Sequence, residues 1–212
     1  MCGRFTLTSE LKELQEHFAA FNPIAYSASY NIPPSRNIPA VRQSQTDREL
    51  FMCHWGLIPH WAKPENKYRA INARAETLAD KPYFREAYRK RRCLIPANGF
   101  YEWNQDRNSK QAYYIHLQDR PLFAFAGLWE SWQDQDQHIE SCAIITTTAN
   151  TSMQTIHDRM PVILSEHDYG GWLEDGGEKL LAPYTGPMLV YPVSKSVNSP
   201  RNDSEDLLES IL

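Results

Sequence analysis

An α+β fold built on antiparallel sheets is what this chain of 212 residues predicts. Three observations carry that expectation. Runs rich in β-branched and aromatic residues outnumber helical ones, most of them are joined by short polar turns, and helices and strands interleave irregularly. A doubly wound sheet would instead show a regular strand-helix alternation. No repeat, low-complexity tract or linker divides the chain, so one domain over residues 1–212 is expected, with a core at about 2–197 and a helical tail at about 203–212.

The elements follow in order. Leu11, Leu14, Phe18 and Phe21 recur at helical spacing behind a capping residue, Thr8, which predicts an amphipathic helix over 9–19 that Asn22-Pro23 ends. Tyr30-Asn31-Ile32-Pro33-Pro34-Ser35 must be extended, because each proline fixes its own φ and restricts its predecessor. Strands are expected near 38–43 and 50–55, the second running into the aromatic, turn-rich His54-Trp55-Gly56-Leu57-Ile58-Pro59-His60-Trp61. Trp55 reads there as core, and Trp61, beside Pro59 and Lys63, as an exposed surface on which a base can stack. Pro82 suits the first position of a helix through Tyr88, whose end in Arg89-Lys90-Arg91-Arg92 places cations at the negative pole of the dipole. Strands follow at 93–103, 112–117, 122–129 and 139–148, with a polar hairpin loop at 104–110. Short helices at 151–156, 165–173 and 205–212 and a strand at 188–193 complete the chain.

Composition narrows the class. Apolar residues make up 42% and charged residues 23%, as in ordinary soluble globular proteins. No run approaches the roughly 18 apolar residues of a membrane span, and the first residues lack the apolar stretch of a secretory signal. Cys2, Cys53, Cys93 and Cys142 are scattered without a CxxC pair or a Cys/His metal spacing, so reduced thiols in a cytoplasmic protein and no metal are expected. The net charge of −4 argues against a generic nucleic-acid binder but hides an asymmetry. Residues 1–120 hold 18 Lys/Arg against 12 Asp/Glu, and residues 121–212 hold 4 against 14. A basic face opposite an acidic one suits a polyanion held on one side, and ordinary solvated surface accounts for it equally.

Four segments place polar groups where chemistry can use them. In Met1-Cys2-Gly3-Arg4-Phe5, removal of the initiator methionine turns Cys2 into a terminal 1,2-aminothiol. Such a group condenses with an aldehyde, first as an imine and then as a thiazolidine ring. A terminal amine titrates at about 7.7–8.0, so it needs little tuning to act as a nucleophile near neutrality. A buried small hydrophobe is the plainer reading of Cys2. Ala70-Ile71-Asn72-Ala73-Arg74-Ala75-Glu76, if extended, puts Asn72, Arg74 and Glu76 on one face. Ala97-Asn98-Gly99-Phe100-Tyr101-Glu102-Trp103 sets one carboxylate among aromatics, where desolvation raises its pKa and favours a proton-transfer role; a structural Glu102 that caps a backbone group or pairs an arginine is the equal alternative. Ile156-His157-Asp158-Arg159-Met160-Pro161 carries a histidine able to relay protons near neutral pH, though a lone histidine is more often structural.

Together these segments, with Tyr30-Asn31-Ile32-Pro33-Pro34, Trp55-Gly56-Leu57-Ile58-Pro59, Cys93-Leu94-Ile95-Pro96 and Phe125-Ala126-Gly127-Leu128-Trp129, resemble the SRAP family, the SOS-response-associated peptidases viewed as abasic-site processing proteins. The likeness runs in family order from the first residue to about Val197. It implies a single domain with a barrel-like core and short flanking helices, acting as a monomer without a metal or organic cofactor. Its partner would be single-stranded DNA bearing an abasic site, or a junction of single and double strands. The resemblance carries Cys2 over as nucleophile, Asn72 as its neighbour, Glu102 as acid and base, and His157 as proton donor near the sugar. It implies phosphate contacts at Arg4, Arg74 and Arg159, further DNA contacts at Asn31, Pro34, Trp103 and Thr147, and a block to duplex continuation at Trp61. A covalent protein–DNA crosslink in the DNA damage response is the expected product, with some strand cleavage by β-elimination from the imine. Two other readings remain open: a cysteine peptidase of the N-terminal-nucleophile kind, and a non-catalytic single-strand DNA-binding module.

Overall fold

The computed structural model describes residues 2–104 and 110–212. In chain order its elements are β1 (Phe5–Leu7), α1 (Leu11–Phe18), β2 (Ser29–Ile32), β3 (Asn37–Gln43), β4 (Arg48–Trp55), β5 (Asn72–Arg74), α2 (Arg85–Lys90), β6 (Arg92–Ala97) and β7 (Gly99–Trp103). β8 (Ala112–Leu117), β9 (Phe123–Asp134), β10 (Gln137–Thr148), β11 (Arg159–Pro161), β12 (Ile163–Leu164), α3 (Tyr169–Glu174) and β13 (Met188–Pro192) follow. Single turns of 3₁₀ helix lie at Ala75–Thr77, Glu166–Asp168, Glu178–Leu181, Lys195–Asn198 and Glu205–Leu208.

Tracing hydrogen-bonded neighbours from β10 leads to β4, β3, β6, β9 and back to β10. That circuit is a closed five-stranded barrel, which leaves its members no open edge. β6 is buried along its whole length, because one face fills the barrel and the other is covered. The cover includes a second sheet, ordered β13-β8-β7-β1-β2. Phe5 of β1 meets Trp55 and Phe125 edge-on at 5.2 and 6.0 Å between ring centres, and Phe100 of β7 meets Phe125 at 6.0 Å. Residues of both sheets therefore share one hydrophobic core.

The barrel-like α+β architecture matches the expectation, with differences of detail. The sheets are not wholly antiparallel: β10 runs parallel to β4 and to β5. The single run expected over 93–103 is two strands in different sheets, broken at Asn98. That side chain holds the crossing together. Its Oδ1 accepts from the Thr8 and Ser9 amides at 2.6 and 3.2 Å, and its Nδ2 donates to the Pro121 carbonyl at 2.5 Å. Gly99 follows because a Cβ there would run into the Tyr114 hydroxyl, which bonds Thr6 at 3.1 Å.

Thr8, bound to Asn98, does not cap α1. The cap is Glu10, whose amide donates to the Glu13 carboxylate at 2.9 Å, and the helix ends at Ala19 in the left-handed region. Pro82 lies in a turn and α2 starts three residues later, because the Phe84 and Arg85 amides both close onto the Lys81 carbonyl. Residues 151–156 form consecutive turns about Asn150 and Met153. The tail is a 3₁₀ turn and then an extended segment, because Ser210 bridges to Val193 and Ile211 donates to the Pro192 carbonyl. Asn104 and Gln111 close the β7–β8 hairpin, and residues 105–109 of the expected loop lie outside the described residues.

Arg92 ties two helix ends to the barrel. Its buried guanidinium donates to the carbonyls of Tyr88 and Arg89 at the end of α2, and to those of Trp172 and Glu174 at the end of α3, all within 2.8 Å. These are the carbonyls a helix leaves without internal partners. Arg92→Leu is expected to lower the free energy of unfolding by about 3 kcal/mol, because charge-assisted bonds are lost and buried acceptors are left unmet. Urea denaturation with an unchanged m-value is the check.

Candidate active site and nucleic-acid interface

Strand register brings Cys2, Asn72 and Glu102 together, and His157, in the loop before β11, is near enough for its charge to act on Glu102. β1 and β7 are antiparallel with Phe5 opposite Phe100, and the Tyr101 amide donates to the Arg4 carbonyl at 2.9 Å. The same register carried back sets Gly3 across from Glu102, so Cys2 ends beside that carboxylate. β5 enters from the barrel side, and Asn72 Nδ2 donates to the Cys2 carbonyl at 2.8 Å. Asn72 Oδ1 is buried with no hydrogen-bond partner among the described residues. It is an acceptor suited to an amine N–H.

Burial dominates the electrostatics. Cys2 is fully buried, and desolvation, reinforced by the negative charge of Glu102, pushes its thiol up to about 12. Glu102 is buried too, and desolvation raises its carboxyl above the usual range. The charge of His157, the Trp103 amide (3.2 Å from Oε1) and other charges nearby pull it back only in part. His157 Nδ1 lies 2.9 Å from both the Arg159 amide and Asp158 Oδ1. One nitrogen cannot accept from the first and donate to the second at once. The amide contact therefore belongs to the neutral ring, whose proton is on Nε2, and the carboxylate contact to the imidazolium.

The expected DNA-contacting residues divide by surroundings. Arg4 Nη1 donates to Asn31 Oδ1 at 2.7 Å and to the Val197 carbonyl at 3.0 Å, and its guanidinium lies 6.0 Å from the Trp103 ring centre. Its acceptors are neutral, so its charge stays uncompensated by them. Asn31 is fully buried and its amide donates to the carbonyls of Val197, Ser199 and Asn202, so it holds Arg4 and the C-terminal segment in place. Pro34 is half-buried in the turn after β2, and Trp103 donates from Nε1 to Asn198 Oδ1 at 2.7 Å. β5 and β11 flank the end of β10, with Arg74 opposite Thr146 and Arg159 opposite Thr148. Thr147 lies between them, nearly buried, and Arg74 is exposed.

Trp61 is 52% exposed at the tip of a braced loop. Trp132 donates to the Ala62 carbonyl at 2.7 Å, and the Ile58 amide donates to Ser141 Oγ at 2.9 Å. Sequence reasoning missed its neighbours. Tyr83 meets Trp61 edge-on at 6.2 Å and Tyr68 at 5.3 Å, and Tyr68 is 62% exposed. Tyr68, Arg69, Asn72, Arg74 and Lys81 line a cavity of ≈ 520 Å³, and Asn72 in its wall is the residue that bonds the Cys2 carbonyl. Tyr68 and Tyr83 lie 15 residues apart with no shared periodicity, so only the folded loop reveals the cluster. Among the described residues, no group of three His, Cys, Asp or Glu side chains could hold a metal ion, and no helix is long and apolar enough to cross a membrane.

Comparisons with known proteins place the chain in a family. The family model for SOS response associated peptidase (SRAP) matches residues 1–200. The chain is 46% identical over 223 residues to the abasic site processing protein YoqW of Bacillus subtilis (strain 168), covering 99% of this chain and 100% of that one. It is 29% identical to the abasic site processing protein HMCES of Xenopus tropicalis, covering 88% of this chain and 67% of the relative. A crystal structure of a protein from Bacteroides thetaiotaomicron superposes with a TM-score of 0.91 at 27% identity, over the full length of both chains.

Proposed function

We propose that this chain, which belongs to the SOS response associated peptidase family, processes abasic sites by capturing them covalently in single-stranded DNA. With Cys2 as first residue, its amine attacks C1′ of the abasic deoxyribose. The His157 imidazolium, held through Nδ1 by Asp158, gives its Nε2 proton to the departing O4′. Glu102 takes the proton from the attacking ammonium and returns it as the carbinolamine loses water. The thiol then adds to C1′ of the imine and its proton passes to the imine nitrogen, closing a thiazolidine. The net change is aldehyde plus aminothiol giving ring plus one water. Asn72 Oδ1 orients the amine throughout.

The observation that carries this reading is the buried carboxyl of Glu102 beside Cys2 and His157. Its raised pKa suits a group that must both take and give a proton near neutrality. Support for a single strand comes from the exposed Tyr68 in a groove edged by Arg69, Arg74 and Lys81, with the exposed Trp61 joined to Tyr68 through Tyr83.

The test is to incubate protein trimmed of Met1 with an abasic single strand, an intact strand and a peptide, then run a denaturing gel. A shifted band with the abasic strand alone is expected. Cleaved strand without a shifted band would mean that the imine forms and the ring does not. An unmodified abasic strand with a cut peptide would replace the reading with the peptidase.

A further inference from the structure

One of the three arginines at the proposed phosphate contacts, Arg159, is paired with a carboxylate that also feels the charge of a second, Arg74. Glu76, in the 3₁₀ turn directly after β5, accepts from Arg159 through both oxygens, Oε2 at 3.0 Å from Nη2. Arg159 Nη2 also donates to the Thr146 carbonyl at 2.6 Å. Arg159 is only 12% exposed and Glu76 47%, so the carboxylate sits on the solvent side of the guanidinium. Bonds from Arg159, and the charges of Arg159 and Arg74, hold the Glu76 carboxyl below the ordinary range despite some desolvation. Glu76 is therefore ionised at neutral pH and lies within reach of the charge of both cations. Arg4, by contrast, is held by neutral acceptors only.

A phosphate approaching Arg159 from solvent meets this more exposed carboxylate first. The guanidinium fork offers a bidentate face that carboxylate and phosphate both fit. We infer that Glu76 is a specificity-setting residue that competes with backbone phosphate for Arg159, so that an intact strand is held weakly and only a strand bonded to Cys2 is retained. This rests on the capture reading above and deepens it. An arginine paired with Glu76 releases no counterion when DNA binds, whereas a liberated one does.

The experiment measures binding of an intact thymidine oligonucleotide by anisotropy across a salt series, for wild type, Glu76→Gln and Glu76→Ala. Glu76→Gln is expected to bind about fivefold tighter at low salt, the scale of one partly exposed ion pair. The dependence of log K on log salt should steepen by about 0.7, the increment for one more phosphate contact on a single strand. Glu76→Ala should do the same, and its melting curve controls for folding. In an Arg159→Gln background the gain should shrink. Unchanged or weaker binding in both variants overturns the inference and makes Glu76 an aligner of Arg159. An undiminished gain in the Arg159→Gln background overturns the assignment to that arginine. Adduct formation by wild type on an abasic strand, measured on the same preparation, separates failure of this inference from failure of the capture reading.

Discussion

Cys2→Ala is expected to abolish the heat-stable adduct with an abasic strand, and Cys2→Ser to leave one that survives only after borohydride reduction. Both variants keep a terminal amine, so both still form the imine. Neither has a sulfur to close the ring. The alanine imine hydrolyses or eliminates, and the serine hydroxyl, a far weaker nucleophile than sulfur, returns a labile ring at best. The fold tolerates both changes, because the Cys2 carbonyl, and not its thiol, anchors Asn72. Among the described residues the hydrogen bonding of the thiol is one weak contact, 4.0 Å to the Arg4 carbonyl. Denaturing gels after heating, with and without borohydride, read the result. A Cys2→Ala adduct as heat-stable as the wild type's sinks the thiazolidine.

Glu102→Gln slows adduct formation by about 10²- to 10⁴-fold, the range a positioned acid or base contributes, while binding to an intact strand changes little. The same substitution stabilises the protein. Burial raises the folded-state pKa of Glu102 above its unfolded value, so the native state holds the proton more tightly. For a carboxyl shifted in this direction, the favourable contribution is present at acid pH. It is lost as pH rises from the ordinary carboxylate range through the raised value. Once pH exceeds the raised value, the native protein carries a disfavoured buried charge that glutamine removes. The melting midpoint of Glu102→Gln should exceed that of wild type at pH 7, and the gap should close toward pH 4. An equal midpoint at both pH values would mean that burial does not shift this group.

Why some of this was legible in the sequence, and some not, is physical. Short runs of apolar and aromatic residues bounded by polar or turn-forming ones mark β3, β4, β8 and β13 nearly to the residue, because that signal is local. Trp55 and Trp61 were separable because proline and lysine flank only the second. The break at Asn98 was invisible: 93–103 reads as one apolar run, and only the demand for a change of sheet makes the asparagine bond Thr8, Ser9 and Pro121. Thr8 looked like a cap because its type suits one, but tertiary bonding claimed it first.

At the site, residue types showed which groups could act, and the β1–β7 register, which no local pattern encodes, showed which of them meet. Asn31 is a case where motif and geometry pull apart. It sits in a segment expected at DNA, yet its amide is engaged by three carbonyls of the C-terminal segment. Glu76 and Arg159 were each visible as charged positions, but 83 residues separate them and their pairing needs the end of β10 between β5 and β11.

The most direct measurement is the intact mass of the adduct between Met1-trimmed protein and an abasic strand, taken before and after borohydride. The predicted mass is that of protein plus DNA less one water, unchanged by the reductant, with the link on the peptide that begins at Cys2. A gain of two hydrogens on reduction, or an equal yield from protein that keeps Met1, would contradict capture by the aminothiol.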